Sequence, residues 1–339
     1  MEYDRDDLLE FLRAGLALGA FAGCDDETQA VIRLCARGSM AAQQTRKASG
    51  YEVSTYLLSF AERTHLRGLV MKIIPVTATR LTEVTNQEFT LLGQLVSEAY
   101  SYTVPRALGT FESRGNHIFV TELLAGNMAT EKMLSAEDVA GIARAIGHLQ
   151  QSLAITEFGR TNIAGVSLPS ADPYYGPKTR KFIETHRKLT VSRGEVTFVE
   201  VLESLRNASP VIVSDRSPAN ILLSDGQIGM FDFGLVLVGV PFEDWSWFID
   251  DPRLVSELSR EEMVRVFWES LERPAMSLAD TTTSFHVSAI FVCIKQCCLM
   301  EDAGRHAMTS HYLQRMRISA ESIGSEDAIA LVQKLEPVS

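Results

Sequence analysis

The spacing of apolar and polar positions divides the chain into a helical start, a strand-rich segment and a mainly helical remainder. Apolar residues at helical intervals predict helices over residues 4–19 and 25–37, and Asp25 provides the N-terminal cap of the second. A strand-rich segment with one inserted helix is expected from about Ala41 to Leu124. Beyond it the pattern favours helices, among which residues 135–153 show a regular amphipathic repeat behind a capping serine.

One interruption of the helical remainder, residues 211–234, places polar residues at the ends of short strands. It reads VIVSDRSPANILLSDGQIGMFDFG. Its first apolar run predicts a buried strand leading to Asp215, and Asn220 follows five residues later. The next two apolar runs flank the turn residues 224–226 and predict a hairpin that presents Asp232. Two carboxylates and one amide are therefore expected to meet at one point.

The residue types in this segment suit the binding of a metal ion and a nucleoside triphosphate. Carboxylate and amide oxygens are ligands that Mg²⁺ prefers, and a further carboxylate can orient a hydroxyl and accept its proton. Asp215 is then the candidate catalytic base, and Asn220 and Asp232 are the candidate metal ligands. A plainer alternative is an Asx turn at Asp215 and Asn220, with Asp232 marking an ordinary hairpin exit.

The same residues resemble those of a known group of enzymes. Ser214-Asp-Arg-Ser-Pro-Ala-Asn220 followed by Asp232-Phe-Gly is similar to the catalytic loop and metal-binding motif of the protein-kinase-like superfamily. Asp244 follows Asp232 after twelve residues, within Gly239-Val-Pro-Phe-Glu-Asp, where a protein kinase has a long activation segment. The chain therefore looks like the aminoglycoside phosphotransferase and choline kinase branch, in which such an aspartate buttresses the catalytic loop.

The resemblance implies a bilobal α+β fold of the protein-kinase-like type. A small β-rich N-lobe with a helical N-terminal extension is expected over residues 1–125, and a larger, mainly helical C-lobe over residues 126–339. The implied activity is the ATP- and Mg²⁺-dependent phosphorylation of a hydroxyl on a small molecule, such as an aminoglycoside-like, amino alcohol or sugar-like acceptor. With no activation segment and no Ala-Pro-Glu motif, a docking platform for a peptide is not expected.

A lysine in the strand-rich segment has a role under the same resemblance. Lys72 interrupts the apolar run of residues 68–74, and Glu88 follows sixteen residues later with apolar neighbours at helical spacing. In the family this lysine contacts the α and β phosphates and pairs with a glutamate on the next helix. The alternatives are a lysine that snorkels from an edge strand and a glutamate on a solvated helix face.

Two further segments are expected to bind the nucleotide. Ser49 and Gly50 lie in a possible hairpin turn that would cover the phosphates, although its single glycine also suits a plain hairpin. The strand from His117 ends at Glu122, and the resemblance implies that the adenine edge bonds to backbone between Glu122 and Leu124. Backbone contacts of this kind leave almost no trace in a sequence.

One position departs from the family pattern. Val213 stands where the family usually has a histidine, two residues before Asp215, and that histidine normally braces the Asp-Phe-Gly turn. This departure keeps a catalytically weak or inactive nucleotide-binding pseudokinase among the alternatives, together with an atypical protein kinase. Because Lys72, Asp215, Asn220 and Asp232 are all present, an active enzyme is favoured.

Composition narrows the possible partners and the location. The chain has 339 residues, 46% of them apolar, which is enough for two lobes. Its 32 basic and 43 acidic residues give a formal charge of −11, which argues against a nucleic-acid partner and suits a cationic acceptor. The first eleven residues are acidic where a signal peptide needs positive charge, and the apolar stretch at 287–300 is too short to span a bilayer. A cytoplasmic protein without a membrane partner is expected.

A few acidic residues, one loop and the cysteines are weaker candidates for a functional role. The acidic residues Asp250, Asp251, Glu301 and Asp302 are possible contacts for acceptor amines, but caps or solvated surface are favoured, and residues 168–177 form a possible acceptor-facing loop. The five cysteines lack the paired spacing of a zinc site or a disulfide framework, so they are interpreted as small buried side chains: Cys24, Cys35, Cys293, Cys297 and Cys298.

Overall fold

The computed structural model describes residues 3–38, 40–44, 53–60, 67–95, 102–157, 159, 190–191, 196–197, 211–233, 236–239, 242–271, 276–302 and 306–335. The chain forms two compact units. The first comprises Met1–Ala99, Thr103–Gly126 and Gly229–Gly234, and the second comprises Tyr100–Tyr102, Asn127–Ile228 and Leu235–Ser339. A sheet-rich first unit and a mainly helical second unit confirm the bilobal α+β fold.

The described strands are, in chain order, β1 (Met40–Gln44), β2 (Ser54–Phe60), β3 (Gly68–Pro75), β4 (Tyr102–Thr103), β5 (Ala107–Ser113), β6 (Asn116–Glu122), β7 (Asn127–Met128), β8 (Thr190–Val191), β9 (Val196–Thr197), β10 (Val211–Val213), β11 (Ile221–Ser224), β12 (Gln227–Met230) and β13 (Leu237–Gly239). The described α-helices are α1 (Arg5–Ala17), α2 (Asp26–Ala36), α3 (Thr79–Gln94), α4 (Ala136–Ala154), α5 (Glu243–Ile249), α6 (Arg260–Glu269), α7 (Leu278–Asp302), α8 (His306–Ser322) and α9 (Glu326–Leu335).

The two N-terminal helices begin where the sequence predicts. Asp4 caps α1 in a reciprocal capping box with Asp7, and the side chain of Asp25 caps α2 by accepting from the backbone N–H of Thr28. Both satisfy N–H groups that the first turn of a helix leaves without partners. The apolar faces of α1 and α2 bury Leu8, Phe11 and Ile32 against the sheet of the first unit.

The sheet of the first unit separates two kinds of side chain. Its five antiparallel strands run in the order β1-β2-β3-β6-β5. Because side chains alternate along a strand, the odd-numbered residues of β3 face α1 and α2 and belong to their apolar core, whereas Lys72 faces the other way. The helix α3 covers that second face, where Phe89 packs against Phe119, the cross-strand neighbour of Lys72. The sheet therefore delivers a lysine to the α3 side and buries its opposite side.

Close backbone packing fixes one edge of β3. A Cβ atom at Gly68 would lie 2.3 Å from the carbonyl oxygen of Leu58 on β2. Only glycine allows the two backbones to approach so closely at this position.

The second unit is built around long helices. Ser135 caps α4 in a capping box with Asp138, as its sequence pattern predicts. The helices α7, α8 and α9 bury a common apolar cluster that includes Phe291, Met316 and Val332. Two short antiparallel pairings lie beside them: β10 with β13, and β11 with β7. The strand β10 leads directly into the segment that contains Asp215.

Burial of the cysteines is confirmed for three of the five. Cys35, Cys293 and Cys297 are buried, Cys24 is partly buried, and none of the four forms a disulfide. Burial raises the pKa of the Cys35 thiol to about 12 and that of Cys293 well above its usual value. Within the described ranges, no three His, Cys, Asp or Glu side chains are grouped to hold a metal ion.

None of the helices that the structure describes is both long enough and apolar enough to cross a bilayer.

Candidate active site

Lys72 and Glu88 form an ion pair in the first unit. Lys72 Nζ donates to Glu88 Oε2 at 2.6 Å, across the gap between β3 and α3. The carboxylate of Glu88 is almost completely buried, so it forms its hydrogen bonds with protein groups and is largely shielded from solvent. The structure thus brings together the lysine and the glutamate that the sequence suggests as partners.

The start of the Asp-Phe-Gly motif lies against this pair. Phe233 donates its backbone N–H to Glu88 Oε1 at 3.1 Å, so the two oxygens of Glu88 bind two different segments. Asp232 Oδ1 lies 3.7 Å from Lys72 Nζ. Asp232 has φ +60°, in the left-handed region, and its carboxylate is 55% exposed. The turn therefore holds an accessible carboxylate next to a lysine.

Two neighbouring carboxylates keep Lys72 positively charged. Burial alone would lower the pKa of Lys72, but the carboxylates of Glu88 and Asp232 raise it above its usual value. Lys72 is therefore a cation throughout the physiological pH range. A fixed cation beside an exposed carboxylate is suited to binding the phosphates of a metal-bound nucleotide.

In the second unit, Asp215 and Asn220 belong to one tight loop. Asp215 has φ +50°, another left-handed conformation that aspartate tolerates better than most residues. Asn220 Nδ2 donates to the backbone carbonyl of Asp215 at 3.0 Å. The buried guanidinium of Arg216 donates to the carbonyl of Ser214 from Nε at 2.8 Å and also from Nη2. These bonds fix the backbone on both sides of Asp215.

Asp244 holds the same loop from α5. Its Oδ1 accepts the backbone N–H of Ser214 at 3.0 Å, and its Oδ2 accepts from Gln150 Nε2 of α4 at 3.0 Å. Burial raises the pKa of Asp244, whereas the hydrogen bond from Ser214 and the charge of Arg216 act to lower it. Gln150 was not singled out in the sequence, because its only signal is a polar residue in an amphipathic helix.

Val213, which stands where the family usually has a histidine, packs closely against Gly239. Val213 is buried in β10, and a Cβ atom at Gly239 of β13 would lie 2.6 Å from one of its methyl carbons. The same Cβ would lie 2.6 Å from Glu243 Oε2. Glycine at 239 therefore lets the valine and the glutamate pack closely beneath the loop.

A second buried ion pair lies next to Asp244 along α5. Lys295 Nζ donates to Glu243 Oε1, and both side chains are less than one-tenth exposed. The ammonium group also lies 4.9 Å from the ring centroid of Phe291 and 5.6 Å from that of Trp247. Lys295 was visible in the sequence as an isolated charge in an apolar helix, but its partner was not.

The segment expected to bind adenine uses part of its backbone for the sheet. Glu122 donates its N–H to the Arg106 carbonyl at 3.0 Å, and Leu123 donates its N–H to the Gly68 carbonyl at 3.0 Å. The side chain of Glu122 accepts from Arg106 Nε at 3.0 Å. These two N–H donors are therefore committed to the protein. Among the described residues, no such bond is formed by the N–H of Leu124, the other predicted backbone contact.

Several predicted residues lie outside the described ranges. These are Ser49 and Gly50, the whole of residues 168–177, and the side chains of Cys298, Glu301 and Asp302. Asp250 and Asp251 are described and both form ion pairs within the protein, Asp250 with Arg260 and Asp251 with Arg253.

Each unit offers an oxygen atom of the kind that binds magnesium. In the first unit, Asp232 has an exposed carboxylate. In the second unit, Asn220 has its amide nitrogen engaged with Asp215, which leaves the amide oxygen as its remaining ligand atom. Mg²⁺ usually takes only one or two carboxylate-type ligands from a protein and completes its shell with phosphates and water.

Comparisons with known proteins identify a family and a fold. A family model described as the phosphotransferase enzyme family matches residues 44–273. A search among curated protein sequences found no match. The fold is similar to that of a choline kinase from Cryptosporidium parvum Iowa II, with a TM-score of 0.58, 12% identity, and coverage of 90% of this chain and 99% of that one.

Two other solved structures share the fold. An amicoumacin kinase in complex with AMP-PNP and Ca²⁺ has a TM-score of 0.57 and 15% identity, with coverage of 89% of this chain and 96% of that one. The F108L variant of an aminoglycoside 2′-phosphotransferase in complex with GDP has a TM-score of 0.52 and 13% identity, with coverage of 88% and 98%. At these identities the similarity concerns the fold.

Proposed function

The chain belongs to the phosphotransferase enzyme family, and we propose that it is a kinase of small molecules that transfers the γ-phosphoryl group of ATP, with Mg²⁺, to a hydroxyl of its acceptor. The single observation that carries this proposal is the ion pair of Lys72 with Glu88, with the carboxylate of Asp232 beside it. A charged lysine held by a buried glutamate beside an exposed aspartate is the arrangement needed to bind phosphates together with their metal ion.

Each of the other residues has a chemical role in this proposal. Asp215 orients the acceptor hydroxyl and accepts its proton, and Asn220 and Asp232 are the ligands of Mg²⁺. Bound Mg²⁺ neutralises the charge of the triphosphate. Lys72 binds the α and β phosphates, and Asp244 keeps the backbone before Asp215 in place through the N–H of Ser214. The ATP analogue in a protein of similar fold supports a nucleotide triphosphate as donor.

The alternative of an inactive pseudokinase rests on the valine at position 213, and the contacts of Glu88 argue against it. In the family pattern the missing histidine braces the Asp-Phe-Gly turn. Here Glu88 accepts the N–H of Phe233, which ties the same turn to α3 without a histidine. Loss of the histidine therefore does not imply a loose turn, and an active enzyme remains the proposal.

The proposal is tested by following ATP consumption with Mg²⁺ against a panel of amines, sugars and antibiotics that carry hydroxyl groups. Asp215→Asn should abolish turnover and leave stabilisation by Mg·ATP measurable, because the side chain acts on the acceptor. Asp225→Asn is the matched control, since Asp225 is an exposed aspartate at φ +43° in the nearby hairpin turn. Substantial turnover in Asp215→Asn would refute the role of Asp215.

The same measurements separate the alternatives. Stabilisation by Mg·ATP without transfer to any acceptor would favour a nucleotide-binding pseudokinase. Transfer of label to proteins of a lysate, or to the chain itself, would favour an atypical protein kinase.

A further inference from the structure

The acidic side chains that follow α5 are already neutralised by the protein. Asp250 accepts two hydrogen bonds from Arg260, at 2.7 Å from Nε and 3.0 Å from Nη2, and a third from Ser246 Oγ at 2.9 Å. Asp251 accepts from Arg253 at 2.9 Å from Nε and 2.6 Å from Nη2. Asp250 and Asp251 are almost completely buried. Neither carboxylate is therefore available to bind an amine of an acceptor.

Asp251 occupies only one edge of the Arg253 guanidinium. Its side chain is 49% exposed although it lies against the buried Asp251. The Nε and Nη2 atoms face Asp251, so the opposite edge, formed by Nη1 and the second N–H of Nη2, points elsewhere. In the part of the chain that the structure describes, no hydrogen bond or ion pair occupies Nη1. That edge has the geometry that binds a carboxylate or a phosphate through two parallel hydrogen bonds.

Arg253 follows the helix whose first turn holds the catalytic loop. Asp244, at the start of α5, binds the backbone N–H next to Asp215, and α5 is only seven residues long. A helix of that length spans about 10 Å, so the turn with Arg253 begins about one short helix from the loop. Asp215 is also close enough to contribute to the electrostatic environment of Arg253 and of Tyr312.

We propose that Arg253 binds an anionic group of the acceptor, of carboxylate or phosphate type, and so directs a hydroxyl of that molecule to Asp215. This inference rests on the proposed function and names the class of its substrate. An exposed guanidinium attracts an anion and repels a polycation. The carboxylates of Asp250 and Asp251 are buried and already paired with arginines, so they do not compensate for that repulsion. The proposal therefore favours an acidic acceptor over an aminoglycoside, in contrast to the expectation of a cationic acceptor from net charge.

The test compares acceptors that differ only in charge. Glucosamine, glucose, glucuronate and glucose 6-phosphate share one ring, and equivalent series exist for galactose and for linear polyols. We expect kcat/KM for ATP-dependent phosphorylation to be highest for an acidic member of a series. The glucuronate-type and phosphate-type members distinguish the two possible anions.

Two variants isolate Arg253. Arg253→Lys keeps the charge but loses the two-nitrogen edge. The double variant Asp251→Asn with Arg253→Gln removes both charges and keeps hydrogen-bonding groups in the buried site, so that folding is preserved. The double variant should raise KM for the acidic acceptor by about 10- to 100-fold, the range for one lost charge-assisted pair. Arg253→Lys should raise this KM by less, because its charge remains. KM for ATP should stay unchanged. The double variant Glu261→Gln with Arg265→Gln removes one exposed charge of each sign from α6, leaves the net charge unchanged as the test variants do, and serves as the matched control.

The outcomes are separable from those of the proposed function. If turnover depends on Asp215 but is highest with an amino sugar, or if the Arg253 variants keep the KM of the parent for acidic acceptors, this inference is wrong and the kinase assignment stands. If no acidic member of any series is phosphorylated, and none binds the Mg·AMP-PNP-saturated protein in an Arg253-dependent way, this inference is wrong. The proposed function is then judged separately, by Asp215-dependent transfer to the wider panel of amines, sugars and antibiotics.

Discussion

Glu88 accepts the backbone N–H of Phe233 at 3.1 Å, and this bond joins two segments that lie 145 residues apart in the chain. The other oxygen of the same carboxylate accepts from Lys72 at 2.6 Å. One buried carboxylate therefore positions both the phosphate-binding lysine of the proposed site and the turn that carries Asp232. This arrangement gives the Asp-Phe-Gly turn a brace at a place other than the position occupied by Val213.

Substitutions of Glu88 should separate its two contacts. Glu88→Gln keeps an oxygen for the N–H of Phe233 but removes the charge that pairs with Lys72, whereas Glu88→Ala removes both. A charge-assisted hydrogen bond contributes about 1.5–3 kcal/mol, so Glu88→Gln should lower kcat/KM for ATP by about 10- to 100-fold, and Glu88→Ala should lower it further. Steady-state kinetics with varied ATP measures both.

The control for this series is Glu83→Gln. Glu83 is an exposed glutamate on α3, so its substitution changes the net charge equally without touching the site. Equal loss of activity in Glu83→Gln and Glu88→Gln would contradict the specific role of Glu88.

Asp244 should matter for stability through its hydrogen bonds more than through its charge. Asp244→Ala leaves the N–H of Ser214 and the amide of Gln150 without their acceptor in a buried place, which costs about 1–3 kcal/mol for each group. Asp244→Asn keeps one oxygen for the N–H of Ser214, and Gln150 can turn its amide to accept from the new NH₂ group, so this variant should retain more stability than Asp244→Ala. Chemical unfolding of the two variants measures the difference. A stable Asp244→Ala variant would show that the loop does not depend on this carboxylate.

The buried pair of Lys295 and Glu243 predicts a strong non-additivity. Lys295→Met leaves the carboxylate of Glu243 buried and without its main partner, which should lower the free energy of unfolding by about 3–5 kcal/mol. The double variant with Glu243→Gln as well should recover most of that loss, because it removes the uncompensated charge. Denaturant unfolding of the single variants and the double variant completes the cycle. Additive losses would mean that the pair is not coupled.

The sequence was informative where local pattern determines position. Alternation along β3 places Lys72 on one face, and the helical repeat of α3 places Glu88 on the side that packs against it, so their pairing could be anticipated. The capped starts of α2 and α4 follow from the same kind of local rule.

Contacts between distant segments could not be anticipated in this way. Gln150 meets Asp244 across 94 residues, and Lys295 meets Glu243 across 52. Their partners depend on how the helices pack, which periodicity does not specify. The neutralisation of Asp251 by Arg253 is local, but a sequence cannot show which edge of a guanidinium is left exposed.

His286 should make stability depend on pH in a defined window. Its ring is buried beside Arg260, whose Nη1 lies 3.0 Å from Nδ1 of His286, with Asp250 on the other side of Arg260. Burial, and then the positive charge of Arg260, lower the pKa of His286 to about 4, while Asp250 acts weakly in the opposite direction. His286 is therefore neutral in the folded protein at neutral pH, with Nδ1 as the acceptor.

The sign follows from the unfolded state, in which His286 has an ordinary pKa of about 6.5. Above that pH both states are neutral and the full stability is present. As the pH falls from about 6.5 to about 4, only the unfolded state gains a proton, so the folded state loses up to about 3 kcal/mol. His286→Gln keeps an acceptor for Arg260 but does not titrate, so the variant should lack this part of the slope. Unfolding curves of both proteins from pH 8 to pH 4.5 measure it. The values at pH 8 serve as the internal control, and parallel pH profiles for the two proteins would show that His286 is not the group that titrates.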